Sequence, residues 1–236
     1  MNGLNKEIEQ QLRNENADFV HFVDISMLDI RQNRGFPYAL LIGIAINPYF
    51  IKTVHDSPDY VHTLSDEYAQ AEKRVGMIAD KLAGRLISKG YKALSQSDNA
   101  LITENTFDFA TKTSVLPHKT IAVLSGTGYI GKNNLFITAE YGAAQCLDSV
   151  LTNAPLSIME HEIKSSQCGN CNICRDVCPQ KALNGVVWDM NVSRDEIVNV
   201  YDCVTCLKCL VYCPKTQAYM KPVSYTHLTL PTIRLV

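Results

Sequence analysis

Cys168-Gly-Asn-Cys171-Asn-Ile-Cys174-Arg-Asp-Val-Cys178-Pro179 and Cys203-Val-Thr-Cys206-Leu-Lys-Cys209-Leu-Val-Tyr-Cys213-Pro214 decide how this chain is read. Both runs carry the spacing C-x₂-C-x₂-C-x₃-C-P, in which one short loop wraps three thiolates around a cubane of iron and sulfide. The fourth cysteine leaves on a new turn, and in a duplicated pattern it reaches the other cluster. The spacing therefore predicts one [4Fe–4S] cluster on Cys168, Cys171, Cys174 and Cys213, and a second on Cys203, Cys206, Cys209 and Cys178. Tetrahedral zinc also accepts C-x₂-C pairs, but two runs of four, each closed by a proline, favour the clusters. Pro179 is expected to open a helical turn over 180–183, stopped by Asn184-Gly185. Ser193-x-x-Glu196 reads as a capping box leading toward Cys203.

The rest of the composition agrees with reduced thiols. Of nine cysteines in 236 residues, only Cys146 lies outside the two runs, and a buried structural thiol is its plainest role. The N-terminus lacks the apolar core of a signal peptide and no apolar run reaches membrane-spanning length, so a cytoplasmic protein with no membrane contact is expected. The net charge of −2 gives no basic face for a polyphosphate backbone. With 46% hydrophobic residues the chain can bury a substantial core.

Upstream of the cysteines, residues 4–16 place Leu4, Ile8 and Leu12 on one helical face. The segment FVHFVDISML suggests a strand and turn. Tyr38–Ile46 (YALLIGIAI) is an apolar run of strand length, stopped by Asn47-Pro48. Residues 60–89 carry Tyr68, Ala71, Val75, Ile78, Leu82 and Leu86 at helical spacing, with Gly90 as the stop. Tyr91–Leu94 suggests a second short strand, and 97–117 is polar and interrupted. His118–Leu124 is open between helix and strand. Leu135–Thr138 and Ala144–Leu151 read as a hairpin around Glu140-Tyr141-Gly142.

Gly126-Thr-Gly128-Tyr-Ile-Gly131 matches the dinucleotide fingerprint literally, with Asp148 at the distance of a ribose partner. A nicotinamide- or flavin-dependent reductase would need a helix after Gly131 and a parallel sheet. The residues that follow, KNNLFITAEYG, look β-like instead. The stretch LPHKTIAVLSGTGYIGKNNLFITAEYGAAQCLDSVLTNAPL, followed by CGNCNICRDVCPQKAL, resembles the epoxyqueuosine reductase family, whose general plan reductive dehalogenases share. The resemblance runs from about Tyr38 to Pro214 and is strongest over 116–180.

That resemblance implies cobalamin in an α+β N-terminal domain, reduced by electrons passed through the two clusters. It also implies that Gly126, Gly128, Tyr129, Gly131, Lys132 and Asn133 help form the corrinoid pocket. Anchored on Pro117, the family's proton-donating aspartate falls on Ser114 here. His118 is the nearby residue able to carry a proton near neutral pH, although an exposed histidine at a helix start is the plainer reading.

The expected fold is thus α+β: an N-terminal α/β sandwich-like domain of the cobalamin-binding type over 1–160, then a two-cluster bacterial ferredoxin-like domain over 161–222. Residues 223–236, VSYTHLTLPTIRLV, resemble a translated adapter and are expected to be a non-native tail. The expected function is an iron–sulfur oxidoreductase taking electrons from reduced ferredoxin, flavodoxin or another donor and passing them to a bound corrinoid and an unidentified small-molecule substrate. Transfer RNA is not expected as a partner, because the chain is not basic and lacks the family's helical-repeat region. The alternative is a non-catalytic ferredoxin-like carrier that docks to a partner reductase.

Overall fold

The apolar run at Tyr38–Ala45 is the middle of the structure, a computed structural model that describes residues 3–226. Helix α1 (Gly3–Asn14) leads to strand β1 (Phe19–Asp24), short helix α2 (Ile30–Asn33) and strand β2 (Tyr38–Ala45). Helix α3 (Pro48–Asp56) and the long α4 (Glu67–Ser88) follow, then strand β3 (Ala93–Ser95) and helix α5 (Asp98–Thr103). A small hairpin, β4 (Phe107–Asp108) with β5 (Thr113–Ser114), precedes helix α6 (His118–Leu124). Strands β6 (Gly128–Ile130) and β7 (Phe136–Thr138) pair with each other, and β8 (Gln145–Thr152) returns to the main sheet. The cysteine region holds α7 (Ile173–Asp176), α8 (Arg194–Ile197), α9 (Lys208–Val211) and α10 (Pro214–Thr226).

The main sheet has the order β1-β2-β8-β3, and every pairing is antiparallel. β2 is apolar on both faces because both are covered. Leu40, Ile42 and Ile44 pack with α1 and α4, whereas Ala39 and Leu41 pack with Ile121, Ala122 and Val123 of α6. Each of the leucine, isoleucine and valine side chains, fully removed from water, contributes about 1.5–3 kcal/mol. Gly43 leaves the space that the Phe19 ring fills, because a Cβ there would enter that ring.

The expectation of a fold that mixes helices and strands holds. Leu207, Leu210, Val211 and Cys213 of the cysteine region share one apolar cluster with α1, β2 and α4. That region is thus seated on these elements through a common core.

Several local expectations change. The two runs read as a hairpin are both strands, but β7 pairs backward with β6 and β8 pairs with β2 and β3. The link between them is a Thr138–Gly142 bridge in the connecting turn and the Gln145 side chain, whose Nε2 donates to the Phe136 carbonyl at 3.1 Å. Asn47-Pro48 ends β2 and also starts α3, since the Asn47 side chain accepts from the Tyr49 N–H and proline suits the first helical turn. Pro179 opens a turn rather than a helix, whereas Pro214 begins α10. The capping box forms, with Ser193 N–H donating to Glu196. The expected tail over 223–236 lies outside the described residues from 227 onward.

Candidate functional site

Two cavities lie beside the β6–β7 hairpin. The smaller, of about 80 Å³, is lined by Cys168, Cys171, Cys174 and Cys213, together with Tyr129, Lys132 and Asn133. Cys213 comes from the second repeat, so this cavity brings together thiols of both repeats. Burial pushes the Cys174 thiol up to about 11, with the neighbouring thiols Cys168, Cys213 and Cys171 adding to the effect. The other thiols gather around Cys209, whose electrostatic neighbours are Cys203, Cys206, Cys174 and Cys178. Cys174 packs in one small cluster with Cys178 and Cys209, so the two sets adjoin. All nine cysteines are unpaired, and Cys203 is exposed.

The hairpin is tied to both sets. Asn133 Nδ2 donates to the Cys209 carbonyl at 3.1 Å, and Lys132 Nζ donates to Asn172 Oδ1 at 3.0 Å. Lys119 Nζ reaches across to the Asn134 carbonyl at 2.7 Å. Burial pushes that lysine down to about 8.

The larger cavity, of about 730 Å³, owes its existence to the shortness of β3. β3 pairs with residues 150–152 of β8, and Gln96 N–H adds one more bond to the Ser149 carbonyl at 2.9 Å. Among the described residues no strand continues this side over 145–148, so side chains from both faces of β8 reach the open edge. The cavity is walled by α4 (Tyr68, Glu72, Gly76, Asp80), by His118 and Lys119, by Leu135 and Phe136, and by Gln145–Asp148.

Two titratable groups there depart from their ordinary behaviour in opposite directions. Asp148 is 5% exposed. Burial, opposed by the Ser149 N–H and helped by Asp98 and Asp80, raises its carboxyl from 3.8 to about 8. Gly76 of α4 faces this carboxyl, and a Cβ there would lie in ordinary contact with Asp148 Oδ2 at 3.4 Å. His118 is half-buried, and burial with the Lys119 charge lowers its imidazole from 6.5 to about 4. Its Nδ1 lies 2.9 Å from Ser149 Oγ. The expectation of an exposed histidine gives way, because α6 starts against the sheet and turns its first residue toward β8.

The expected corrinoid residues are distributed differently. Tyr129, Lys132 and Asn133 line the cysteine cavity, and none of the six lines the larger one. Gly126 packs under His161 and Glu162, while Gly128 and Gly131 pack against β7. Leu135 and Phe136 carry the same hairpin to the larger cavity. Ser114 lies on β5, beside a separate surface cleft. Asp148 was weighed only as a ribose partner, and the antiparallel sheet with no helix after Gly131 removes that reading. Cys146 is buried, as expected, and its Sγ lies 3.8 Å from the Tyr68 carbonyl.

No family profile matches the chain. Over 100 residues it is 31% identical to the epoxyqueuosine reductase of Lactococcus garvieae (strain Lg2), a stretch covering 42% of this chain and 28% of that protein. In sequence this chain resembles the epoxyqueuosine reductases. The Bacillus anthracis epoxyqueuosine reductase is 30% identical over 143 residues, covering 52% of this chain and 36% of its own length. The matched stretches thus span about a third or less of these relatives.

Solved structures extend the likeness to the fold. An epoxyqueuosine reductase crystallised with a modified tRNA-Tyr stem loop superposes at a TM-score of 0.56 and 16% identity, covering 92% of this chain and 66% of that one. A catabolic reductive dehalogenase superposes at 0.62 with 16% identity, covering 92% of this chain and 33% of its own. Among the described residues no helix is long and apolar enough to cross a membrane.

Proposed function

We propose that this chain is the electron-transfer and corrinoid-binding part of an iron–sulfur reductase. Cys168, Cys171, Cys174 and Cys213 hold one [4Fe–4S] cluster, and Cys178, Cys203, Cys206 and Cys209 hold the other. The observation that carries the reading is Cys213 lining one cavity with three thiols of the first repeat. Thiols spread around a shared cavity suit a cubane that fills the space between them.

The larger cavity is the place for the corrinoid. Its volume falls in the range of cofactor sites, with apolar Leu135, Phe136 and Leu147 on one side and polar Asp80, Asp98 and Asp148 on the other. When bound, a corrinoid supplies low-valent cobalt chemistry that no side chain can perform. The chain's own residues position the ligand and keep the β6–β7 hairpin between the two cavities. Exposed Cys203 places the second set where a donor such as reduced ferredoxin or flavodoxin can approach. One structural relative was crystallised with a modified tRNA stem loop; here the substrate is an unidentified molecule that reaches the open edge of β8. A plain electron carrier needs no such cavity.

Anaerobic reconstitution of the full chain with iron, sulfide and cobalamin tests this. Eight irons per chain and stoichiometric corrinoid are expected from metal analysis and absorption spectra. Eight irons without corrinoid would reduce the protein to a carrier, and zinc in place of iron would remove the reading altogether.

A further inference from the structure

Lys132 is a buried cation for which the described residues provide no anion. It is 5% exposed, and among the described residues no carboxylate lies within ion-pair range of its Nζ. The one hydrogen-bond partner of that Nζ among them is neutral, Asn172 Oδ1 at 3.0 Å. A buried ammonium is stable where an opposite charge replaces the water it has lost.

Asn172 shows where that charge belongs. It stands between Cys171 and Cys174, on the loop that carries the first thiol set. As the residue before α7 its side-chain oxygen is in place to cap the helix. No such cap forms, and the oxygen accepts from Lys132 instead. The ammonium is thereby held on this loop, and Lys132 lines the cavity shared by Cys168, Cys171, Cys174 and Cys213. The backbone beneath it is fixed as well. The Gly131 N–H donates to the Leu135 carbonyl and the Asn134 N–H to the Gly131 carbonyl, both at 2.9 Å, and Asn133 ties this turn to the Cys209 carbonyl. The other basic groups beside the first set are exposed, Arg175 in a pair with Asp176 and Lys215 at the mouth of the cavity. Water and salt screen those two, and they do not screen Lys132.

A cubane on four thiolates carries net negative charge, and one added electron makes that charge larger. An unscreened cation beside it favours the more negative state. We propose that Lys132 is the counter-ion of the cluster held by Cys168, Cys171, Cys174 and Cys213, and that its charge raises the reduction potential of that cluster. In this step a reduced ferredoxin or flavodoxin loses one electron, the cluster gains it, and no bond or proton is exchanged. The assignment rests on the cluster reading above. It moves Lys132 from the corrinoid pocket, where the family resemblance put it, to the electron path.

The test needs neither substrate nor corrinoid. The full chain is reconstituted anaerobically with iron and sulfide and titrated with dithionite, while EPR follows each reduced cluster. The first cluster is the one whose signal Cys213→Ser alters. Lys132→Gln removes the charge and keeps a donor for Asn172 Oδ1, whereas Lys132→Arg keeps the charge. At the midpoint potential of the unaltered chain, the ratio of reduced to oxidised first cluster is expected to fall about tenfold in Lys132→Gln, a shift of about 59 mV for a one-electron couple. The second cluster in that variant, and both clusters in Lys132→Arg, are expected to change less than about threefold. If Lys132→Gln takes up no first cluster while Lys132→Arg does, iron content supports the same assignment through assembly. An unshifted first cluster in Lys132→Gln, a shift shared equally by both clusters, an equal shift in Lys132→Arg, or loss of the first cluster from both variants overturns the assignment and leaves the cluster reading intact. An unaltered chain that takes up no iron–sulfur cluster overturns both.

Discussion

Replacing Asp148 by asparagine tests the larger cavity through stability alone. The carboxyl keeps its proton in the folded chain to about pH 8, against an ordinary 3.8. In the unfolded chain it ionises near the ordinary value, so between these limits the folded state binds the extra proton. Stability contributed by this group is present below about pH 4 and is lost as pH rises toward 8. Each pH unit in that window removes roughly 1.4 kcal/mol. Asparagine has the same shape, can accept the Ser149 N–H through its Oδ1, and does not titrate. The difference in unfolding free energy between Asp148→Asn and the unaltered chain should therefore widen, in the variant's favour, by about 3 kcal/mol from about pH 5 to about pH 7. For a chain of this size that is a melting difference of roughly 6–12 °C. Anaerobic thermal melts of cluster-loaded protein, followed by circular dichroism across pH, measure it. Parallel pH profiles for the two proteins would refute the reasoning, because every other titrating group is common to both.

Two further perturbations address the cysteine cavity and its support. Cys213→Ser is expected to damage the cluster of Cys168, Cys171 and Cys174 and to spare the other, read by iron content and by the EPR signal of each reduced cluster; damage confined to the other set would refute the crossed ligation. Gly142→Ala is expected to cost more than about 2 kcal/mol, because φ is +60° and the new Cβ would collide with the Lys215–Thr216 backbone. Denaturant unfolding measures that loss, and a cost below about 1 kcal/mol would show that the turn and α10 separate freely.

Long elements were legible in the sequence because their periods survive over many residues. The apolar face of α4 and the unbroken run of β2 depend on nothing outside themselves. Three-residue strands have no period to read, which is why β6 and β7 were missed as partners and β7 was joined to β8 instead. The meeting of Cys213 with Cys168, Cys171 and Cys174 at one cavity was legible because the C-x₂-C-x₂-C-x₃-C-P spacing implies it. His118 and Asp148 were not. Their importance depends on where β3 stops, and no local signal says that its pairing with β8 ends at Ser95, leaving 145–148 open. Proline before His118 and lysine after it look like an ordinary exposed helix start, and only the packing of α6 on the sheet reveals otherwise.

The turn at Gly142 joins the two halves of the proposed site. Thr216, on the first turn of α10, is fully buried, and its Oγ1 accepts the Ala143 N–H at 3.0 Å. Cys213 lies just before that helix and is held by the backbone N–H groups of Lys215 and Thr216 and by the Thr216 hydroxyl. One buried threonine thus binds the thiol that completes the first set and the turn that feeds β8 into the larger cavity. Ala143 itself lines that cavity. A movement of Cys213 therefore cannot be absorbed by α10 alone, because buried N–H groups left without partners cost about 1–3 kcal/mol each. The cysteine cavity and the open edge of β8 are thus tied through Thr216, as electron transfer between the occupants proposed for them would require.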